Sequence, residues 1–117
     1  MKKNPNSGGR RDGSGRGKKT WYESHIAGRV FLDSSYELAY AIWLDSKNVL
    51  WRRNWQKFAY EYEGKQSFYI PDFYLIAENK YVEIKGYETE KDKAKWEFFP
   101  HNLEVLKEVD LKLKGIL

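Results

Sequence analysis

The sequence predicts a small α/β domain, in which one helix precedes a run of strands and a second helix follows it. Apolar residues recur at helical spacing near residue 40, and they alternate with polar residues between residues 57 and 86. Helical sequence resumes near residue 89. A chain of 117 residues has the length of one domain, so we expect one sheet domain rather than two units.

The first helix has a clear start signal. Ser34 is followed three residues later by Glu37, the spacing of a capping box, in which each side chain bonds the backbone of the other residue. Good helix-forming residues run from 36 to 44, and the helix should end near residues 46–48. A short extended segment is expected at residues 49–51.

Strands are expected where the apolar period becomes two. Pro71 interrupts this pattern, and proline is tolerated only at a sheet edge, a bulge or a strand start. The predicted strands are residues 58–62, 67–70, 72–76 and 81–85, with turns at 63–66 and 77–80.

After Gly86 the helical pattern returns. Thr89 and Asp92 have cap-like spacing and predict a second helix that continues to about Phe98, before Pro100. A last strand is expected at residues 103–106, and a short closing helix at residues 107–117.

Positive charge is concentrated at the N-terminus. Residues 1–20 hold seven lysines and arginines and one aspartate, whereas the whole chain has a net charge of +4, so the remainder is net negative. Residues 1–19 are also rich in glycine and have no large apolar residue after Met1, which predicts a disordered basic arm before a folded domain at 20–117. Such an arm favours nucleic acid as a partner, although a solvated tail would have the same composition.

Composition excludes several other classes. The chain has no cysteine, which rules out disulfides and thiolate zinc sites. No apolar run reaches the roughly 20 residues of a membrane span, and the first residues do not resemble a secretory signal. We therefore expect no membrane partner and a cytoplasmic location.

Three polar residues on consecutive predicted strands carry the functional argument. Glu83 and Lys85 project from the same face of their strand, because alternate residues share a face. If the turn occupies 77–80, Asp72 lies opposite Lys85 and diagonal to Glu83. Two hard carboxylates suit Mg²⁺, which activates water and neutralises developing charge, and a nearby lysine can stabilise a phosphate. A Glu-x-Lys pattern alone would also be explained by a solvated strand face with a weak ion pair and no catalytic role.

These motifs resemble the PD-(D/E)xK nuclease superfamily, from about Gly15 to the C-terminus, and within it the small phage-type homing and resolvase-like endonucleases. The segments that carry the resemblance are Gly15–Lys19, Asp33–Tyr40, Tyr69–Phe73 and Val82–Tyr87. It implies a restriction-endonuclease-like mixed sheet flanked by helices, a DNA substrate and dependence on Mg²⁺, for which Mn²⁺ would substitute.

The resemblance also implies individual site residues. Asp72 and Glu83 would bind the metal, Lys85 would be the catalytic lysine, and the backbone carbonyl of Ile84 would be a further metal ligand. Glu37 matches a helix glutamate that completes the acidic cluster in many relatives, but its capping spacing explains the same residue structurally. The predicted DNA contacts are Arg10, Arg11, Arg16, Lys18, Lys19, Arg52 and Arg53.

The expected function is a homing-type DNA endonuclease in a bacterial or phage-infected host cell. A Holliday-junction-resolving enzyme suits the same spacing, and a DNA-binding module without catalysis is the alternative from another class. Because one chain has one catalytic set, cutting both strands would require a homodimer, a higher homo-oligomer or two successive nicks.

Overall fold

The computed structural model describes residues 18–117 and has the expected α/β class, with three helices among those residues. The strands are β1 (Thr20–Ser24), β2 (Gly28–Leu32), β3 (Trp51–Arg53), β4 (Phe58–Tyr62), β5 (Lys65–Tyr69), β6 (Phe73–Leu75), β7 (Lys80–Ile84) and β8 (Leu103–Leu106). The helices are α1 (Ser35–Ser46), α2 (Glu90–Glu97) and α3 (Glu108–Leu113). The predicted disorder of residues 1–19 concerns mainly residues 1–17, which lie outside the described residues.

The central sheet has four strands in the order β3-β6-β7-β8. The β3–β6 and β6–β7 pairs are antiparallel, whereas β7 and β8 are parallel. A parallel pair needs a crossover connection, which α2 provides between β7 and β8. The sheet is therefore mixed.

Helix α1 begins as the sequence predicts. Ser34 is its N-cap, and the Ser34 hydroxyl accepts a hydrogen bond from the Glu37 N–H at 3.1 Å. The reciprocal bond differs from a capping box, because the Glu37 carboxylate accepts from the N–H of Asp33, one residue before the cap. The helix buries Tyr40, Ala41 and Leu44 in the main hydrophobic core, which also contains the sheet residues Trp51, Phe73, Leu75, Val82, Ile84 and Leu106.

The opposite face of the sheet carries a second cluster, which is aromatic. Since side chains alternate along β7, Tyr81 and Glu83 point away from the α1 core that contains Val82 and Ile84. The Tyr81 ring lies 5.4 Å from Phe58 and 5.4 Å from Phe99, measured between ring centroids. This cluster brings the β4–β5 hairpin and the end of α2 over the face that carries Glu83.

The turn between β6 and β7 lies one residue earlier than predicted. The turn comprises residues 76–79, where Asn79 has a φ of 51°, and the closing pair is Leu75 with Lys80. Asparagine tolerates this left-handed conformation better than most residues do, and it therefore ends the turn. The register shifts by two residues from the predicted one, so Asp72 precedes the Phe73–Val82 pair and lies across from Glu83 rather than Lys85. A shift of two keeps both side chains on the predicted face.

Two hairpins also differ from the sequence prediction. β1 and β2 pair antiparallel over residues 20–32, a hairpin that the sequence analysis did not identify. The β4–β5 turn is shorter than predicted, because Glu63 and Gly64 both have positive φ and form a two-residue connection. Other boundaries agree more closely: α2 and β8 lie where we expected them, and α3 is shorter than the predicted 107–117.

Asp45, near the end of α1, joins three parts of the domain. Its carboxylate accepts hydrogen bonds from the Tyr22 hydroxyl at 2.5 Å, the Ser24 hydroxyl at 2.8 Å and the Trp51 indole N–H at 2.9 Å. The β1–β2 hairpin, α1 and the central sheet therefore meet at one buried anion. Burial alone would raise the pKa of Asp45, but these hydrogen bonds outweigh it and hold the pKa below its usual value.

None of the helices in residues 18–117 combines the length and apolar composition that a membrane crossing requires.

Candidate active site

The structure brings Asp72 and Glu83 together at adjacent positions on β6 and β7. Asp72 follows Pro71 and immediately precedes β6, whereas Glu83 lies within β7. The Asp72 Oδ2 atom accepts a hydrogen bond of 2.8 Å from the N–H of Ile84. This bond fixes the Asp72 carboxylate beside the backbone that follows Glu83. Both acidic residues are buried, with 8% and 7% of their surface exposed.

The two carboxylates open onto a cleft of about 340 Å³. Two lysines, Lys85 immediately after β7 and Lys95 of α2, complete its charged lining. The remaining lining residues are Phe68, Tyr69 and Ile70, which come from the end of β5 and the residue after it. The cleft therefore combines two carboxyl groups and two lysines with an apolar rim.

Lys85 is held in the cleft by Asp92. The Lys85 Nζ atom lies 3.3 Å from Asp92 Oδ1, and Lys95 Nζ lies 3.2 Å from the same oxygen. The other carboxylate oxygen of Asp92 accepts from the N–H of Thr89 at 3.0 Å, which completes the capping box of α2. Burial alone would raise the pKa of Asp92, but the Thr89 N–H and the two lysines hold it below its usual value. Asp92 thus stays charged and links the start of α2 to both lysines.

Glu83 is the most unusual group in the cleft. Its Oε1 atom is buried and makes no hydrogen bond of acceptable geometry among residues 18–117, although Asp72 and the Tyr69 hydroxyl lie beside the carboxylate. Burial raises the pKa of Glu83 to about 7; Lys85 and Lys95 oppose this shift, and the charge of Glu37 adds to it. An unpartnered buried carboxylate oxygen is costly for a folded protein, which points to a ligand at this position.

Tyr69 borders the same carboxylates. Burial, followed by the charges of Glu83 and Asp72, raises the pKa of the Tyr69 phenol. Its hydroxyl is also buried and makes no hydrogen bond of acceptable geometry among the described residues, although it lies beside Glu83 and Trp96. Tyr69 therefore contributes a neutral donor to the cleft.

Glu37 lies behind this cleft, on the α1 side. Its Oε1 atom is 2.7 Å from the Arg53 guanidinium and accepts the N–H of Asp33 at 2.9 Å. Burial and the charge of Asp72 raise the pKa of Glu37 to about 8, although Arg53 opposes the shift. Glu37 is therefore close enough for the charge of Asp72 to affect its pKa. Its own hydrogen bonds, however, go to Arg53 and to the backbone at the start of α1.

Arg53 is an internal residue, and this burial is incompatible with the predicted DNA contact. Only 8% of its surface is exposed. Its guanidinium bonds Glu37, lies 3.2 Å from Asp33 Oδ2 and donates to the carbonyl of Asp72 at 3.2 Å. Arg53 shares a sheet face with the core residues Trp51 and Phe73, because it pairs with Phe73 across the β3–β6 ladder.

The other predicted DNA contacts are exposed or lie outside the described residues. Arg52 is exposed on the opposite sheet face, with its guanidinium 4.5 Å from the Tyr74 ring. Lys18 and Lys19 are exposed and precede β1. Arg10, Arg11 and Arg16 lie outside the described residues.

The acidic groups do not form a complete metal cage by themselves. No group of three or more histidine, cysteine, aspartate or glutamate side chains within residues 18–117 is arranged to hold a metal ion. Asp72 and Glu83 are nevertheless hard oxygen donors, and the unpartnered Glu83 oxygen fits a cation. A metal held here would depend on these two carboxylates together with backbone carbonyls or water.

Asp92 and Tyr69 belong to the site but were not among the residues predicted from the sequence. Asp92 had a visible signal, the cap-like spacing from Thr89, but that spacing gave no indication of its contact with Lys85. Lys95 of α2, which also lines the cleft, was not among the predicted site residues. Their assembly depends on how α2 and the β4–β5 hairpin pack over the sheet.

No protein-family model, no curated protein and no solved structure matches this chain.

Proposed function

We propose that this chain is a Mg²⁺-dependent DNA endonuclease that hydrolyses phosphodiester bonds, with Asp72, Glu83 and Lys85 at its active centre. The observation that carries the proposal is the buried Glu83 oxygen without a partner among the described residues, in a cleft shared with Asp72 and two lysines. A merely solvated Glu-x-Lys pattern would leave both side chains in water. Here both side chains are largely buried, which costs free energy and favours a ligand-binding site.

The proposal includes a restriction-endonuclease-like fold. The four-stranded mixed sheet has α1 on one face, and α2 connects its two parallel strands. The candidate residues lie at the start of β6 and the end of β7. This arrangement is consistent with the resemblance in sequence, which supplies the family assignment.

Asp72 and Glu83 would hold Mg²⁺, with the carbonyl of Ile84 as a further ligand, and Mn²⁺ should substitute. When bound, the cation would activate water and neutralise charge on the phosphate. We leave Glu37 out of the ligand set, because Arg53 and the Asp33 N–H already occupy its carboxylate. Glu37 instead acts as a positioning residue, which holds Arg53 against the backbone of Asp72.

The remaining polar groups would act on the phosphate directly. Lys85 and Lys95 place two positive charges beside the carboxylates, where an anionic substrate would otherwise be repelled. Because Asp92 fixes both lysines, their charge is oriented before substrate arrives. The protonated Tyr69 hydroxyl can donate a hydrogen bond to a phosphate oxygen.

DNA is the proposed partner, and the basic N-terminal residues would add affinity that depends on salt. A homing-type enzyme that cuts duplex DNA remains our first choice, and a junction-resolving enzyme the second. Since each chain would supply one catalytic centre, double-strand cleavage would need a homodimer or two successive nicks.

The proposal is tested by cleavage of supercoiled plasmid and of a four-way junction, with Mg²⁺, Mn²⁺ or EDTA. We expect metal-dependent cutting by the wild type and its loss in Glu83→Gln, which removes the charge but keeps the size of the side chain. Glu97→Gln changes an exposed glutamate of α2 and should retain activity. The preferred substrate would separate the homing from the resolving enzyme.

Metal binding discriminates the nuclease from a DNA-binding module without catalysis. A cation that binds only the folded state raises its melting temperature. We expect Mg²⁺ and Mn²⁺ to raise the Tm of the wild type and of Glu97→Gln, but not of Glu83→Gln. DNA binding without a metal-dependent Tm shift and without cleavage of either substrate would support the binding module instead.

A further inference from the structure

Trp55 is a large apolar side chain left in solvent beside the cleft. Seventy per cent of its surface is exposed, compared with 57% for Trp21. It lies in the connection between β3 and β4, two residues after the buried Arg53. An indole in this state forgoes the favourable free energy of burial, so its position calls for a physical explanation.

The backbone around Trp55 is held firmly. The side chain of Asn54 is 2% exposed and donates to the carbonyls of Gln56 at 2.9 Å and Pro71 at 3.0 Å. The Gln56 N–H donates to Asn54 Oδ1 at 3.1 Å, and the Asn54 N–H donates to the carbonyl of Asp72 at 3.2 Å. These four bonds tie the loop to the strand entrance and direct Trp55 outward. The indole is therefore presented to solvent on a fixed support.

Trp55 borders a recess next to the candidate active site. The recess has a volume of about 120 Å³, and Trp55, Ile70 and Pro71 form its apolar part. Ile70 and Asp72 line both this recess and the catalytic cleft. A group bound against Trp55 would consequently be a neighbour of the group bound at Asp72.

The charge of the recess restricts what it can accept. Asp33 and Asp72 contribute negative charge, and the positive charge of Arg53 is already shared by Glu37 and Asp33. A phosphate would be repelled by these carboxylates. A neutral aromatic ring suits the indole face, and exposed amino groups on such a ring suit the carboxylates.

We propose that Trp55 stacks on an unpaired DNA base next to the scissile phosphate. This inference rests on the proposed function, which puts DNA in the adjoining cleft. A base within a duplex is already stacked on its neighbours and would have to be extracted first, whereas a bulged or branch-point base is available at lower cost. The substrate class is therefore DNA that carries an unpaired base near the cleavage position.

The test compares two labelled DNAs in EDTA, where cleavage does not interfere. One is a perfect duplex and the other is the same duplex with one bulged base. Fluorescence anisotropy would give the Kd of each DNA for the wild type, Trp55→Ala and Trp55→Phe. Trp21→Ala is the matched control, because it removes an exposed indole that lines neither the cleft nor the recess.

We expect the wild type to prefer the bulged DNA and Trp55→Ala to bind that DNA roughly 5- to 150-fold more weakly, the range for loss of one stacked base. Trp55→Phe should keep most of the preference, and Trp21→Ala all of it. No effect of Trp55→Ala, or an equal effect on both DNAs, would overturn the proposal. So would sedimentation data in which Trp55→Ala turns a dimer into a monomer, since Trp55 would then be a contact between copies.

This binding experiment and the cleavage assay together separate the inference from the nuclease proposal. A bulge preference that depends on Trp55, in a protein that cuts nothing with Mg²⁺ or Mn²⁺, would support the base site and contradict the nuclease. Metal-dependent cleavage by a protein without any bulge preference would contradict the base site alone.

Discussion

At the scale of single residues, Arg52 and Arg53 are chemically identical neighbours with opposite environments. Arg52 is exposed over the Tyr74 ring, whereas Arg53 is buried against Glu37, Asp33 and the backbone of Asp72. The sequence gives both the same charge, so it could not predict which one faces the core. The answer depends on the register of the three-residue strand β3 against β6, which turns Arg53 toward Phe73.

This difference leads to a stability prediction. Arg53→Ala would leave the buried Glu37 side chain without its cation. At a pH above the Glu37 pKa of about 8, where both partners are charged, breaking a buried ion pair costs about 3–5 kcal/mol. Arg52→Ala would remove an exposed cation–π contact, which contributes only about 0.5–1 kcal/mol. Urea unfolding of the two variants beside the wild type measures both values. Equal and small losses would mean that Arg53 does not support the site in the way we infer.

At the scale of elements, the parts of the site that the sequence predicted are those determined locally. Glu83 and Lys85 follow from strand alternation, and the Thr89–Asp92 cap follows from its spacing. The predicted register failed because it depended on the turn between β6 and β7, where the left-handed Asn79 sets the closing pair. Because side chains alternate with a period of two, the two-residue register error left Asp72 and Glu83 on the predicted face even though the predicted pairing was wrong.

The β1–β2 hairpin shows a different limit. Trp21 and Phe31, which pair across it, are both partly in solvent, so the segment lacks a strong alternating pattern. It is attached to the domain by the contacts of Tyr22 and Ser24 with Asp45, 23 and 21 residues further along the chain, and by the packing of Val30 and Leu32 in the main core. Contacts at such separations depend on the assembled fold, and local sequence patterns do not report them.

Helices α2 and α3 have matching caps at their N-termini. Comparing the two caps tests how α2 supports the site. Asp92 and Asp110 are both third residues of their helices, and each accepts the N–H of its N-cap residue. Only Asp92 also holds Lys85 and Lys95. Asparagine keeps an oxygen for the cap but removes the charge, so Asp92→Asn should lower kcat by about 10- to 100-fold, as loss of a supporting partner commonly does.

Asp110→Asn is the control and should retain the wild-type kcat, because its helix α3 lies outside the cleft lining. Circular dichroism would show whether both variants keep their helices. A loss of activity in Asp92→Asn that only follows a loss of helix content would assign Asp92 to folding. A loss at unchanged helix content would assign it to the positioning of the lysines.

At the scale of the whole molecule, the fold class was predictable because it depends on periodicity, whereas the assembly of the site was not. The cleft needs the β4–β5 hairpin and α2 to pack over one sheet face, and that packing relies on Phe58, Tyr81 and Phe99, residues far apart in sequence. Aromatic residues at these positions signalled burial but not their partners. Sequence motifs therefore indicate the chemistry, whereas the geometry of the site depends on how distant segments pack in three dimensions.

Acid unfolding should report how the same assembly depends on Asp45. Its pKa is lowered in the folded protein, so its contribution is fully present above the unfolded pKa of about 3.9 and is lost as the pH falls through the lower folded value. Asp45→Asn removes a charged acceptor shared by Tyr22, Ser24 and Trp51, and we expect a loss of about 2 kcal/mol at pH 7.

The difference between wild type and Asp45→Asn should then shrink as the pH is lowered below about 4, because the wild-type carboxyl becomes protonated as well. Urea unfolding at several pH values measures this difference directly. Glu61→Gln, which changes an exposed carboxyl on β4, serves as the control and should leave stability at pH 7 nearly unchanged. A difference that stays constant down to the lowest pH would show that the Asp45 network stabilises the fold through shape and neutral hydrogen bonds, with no contribution from its charge.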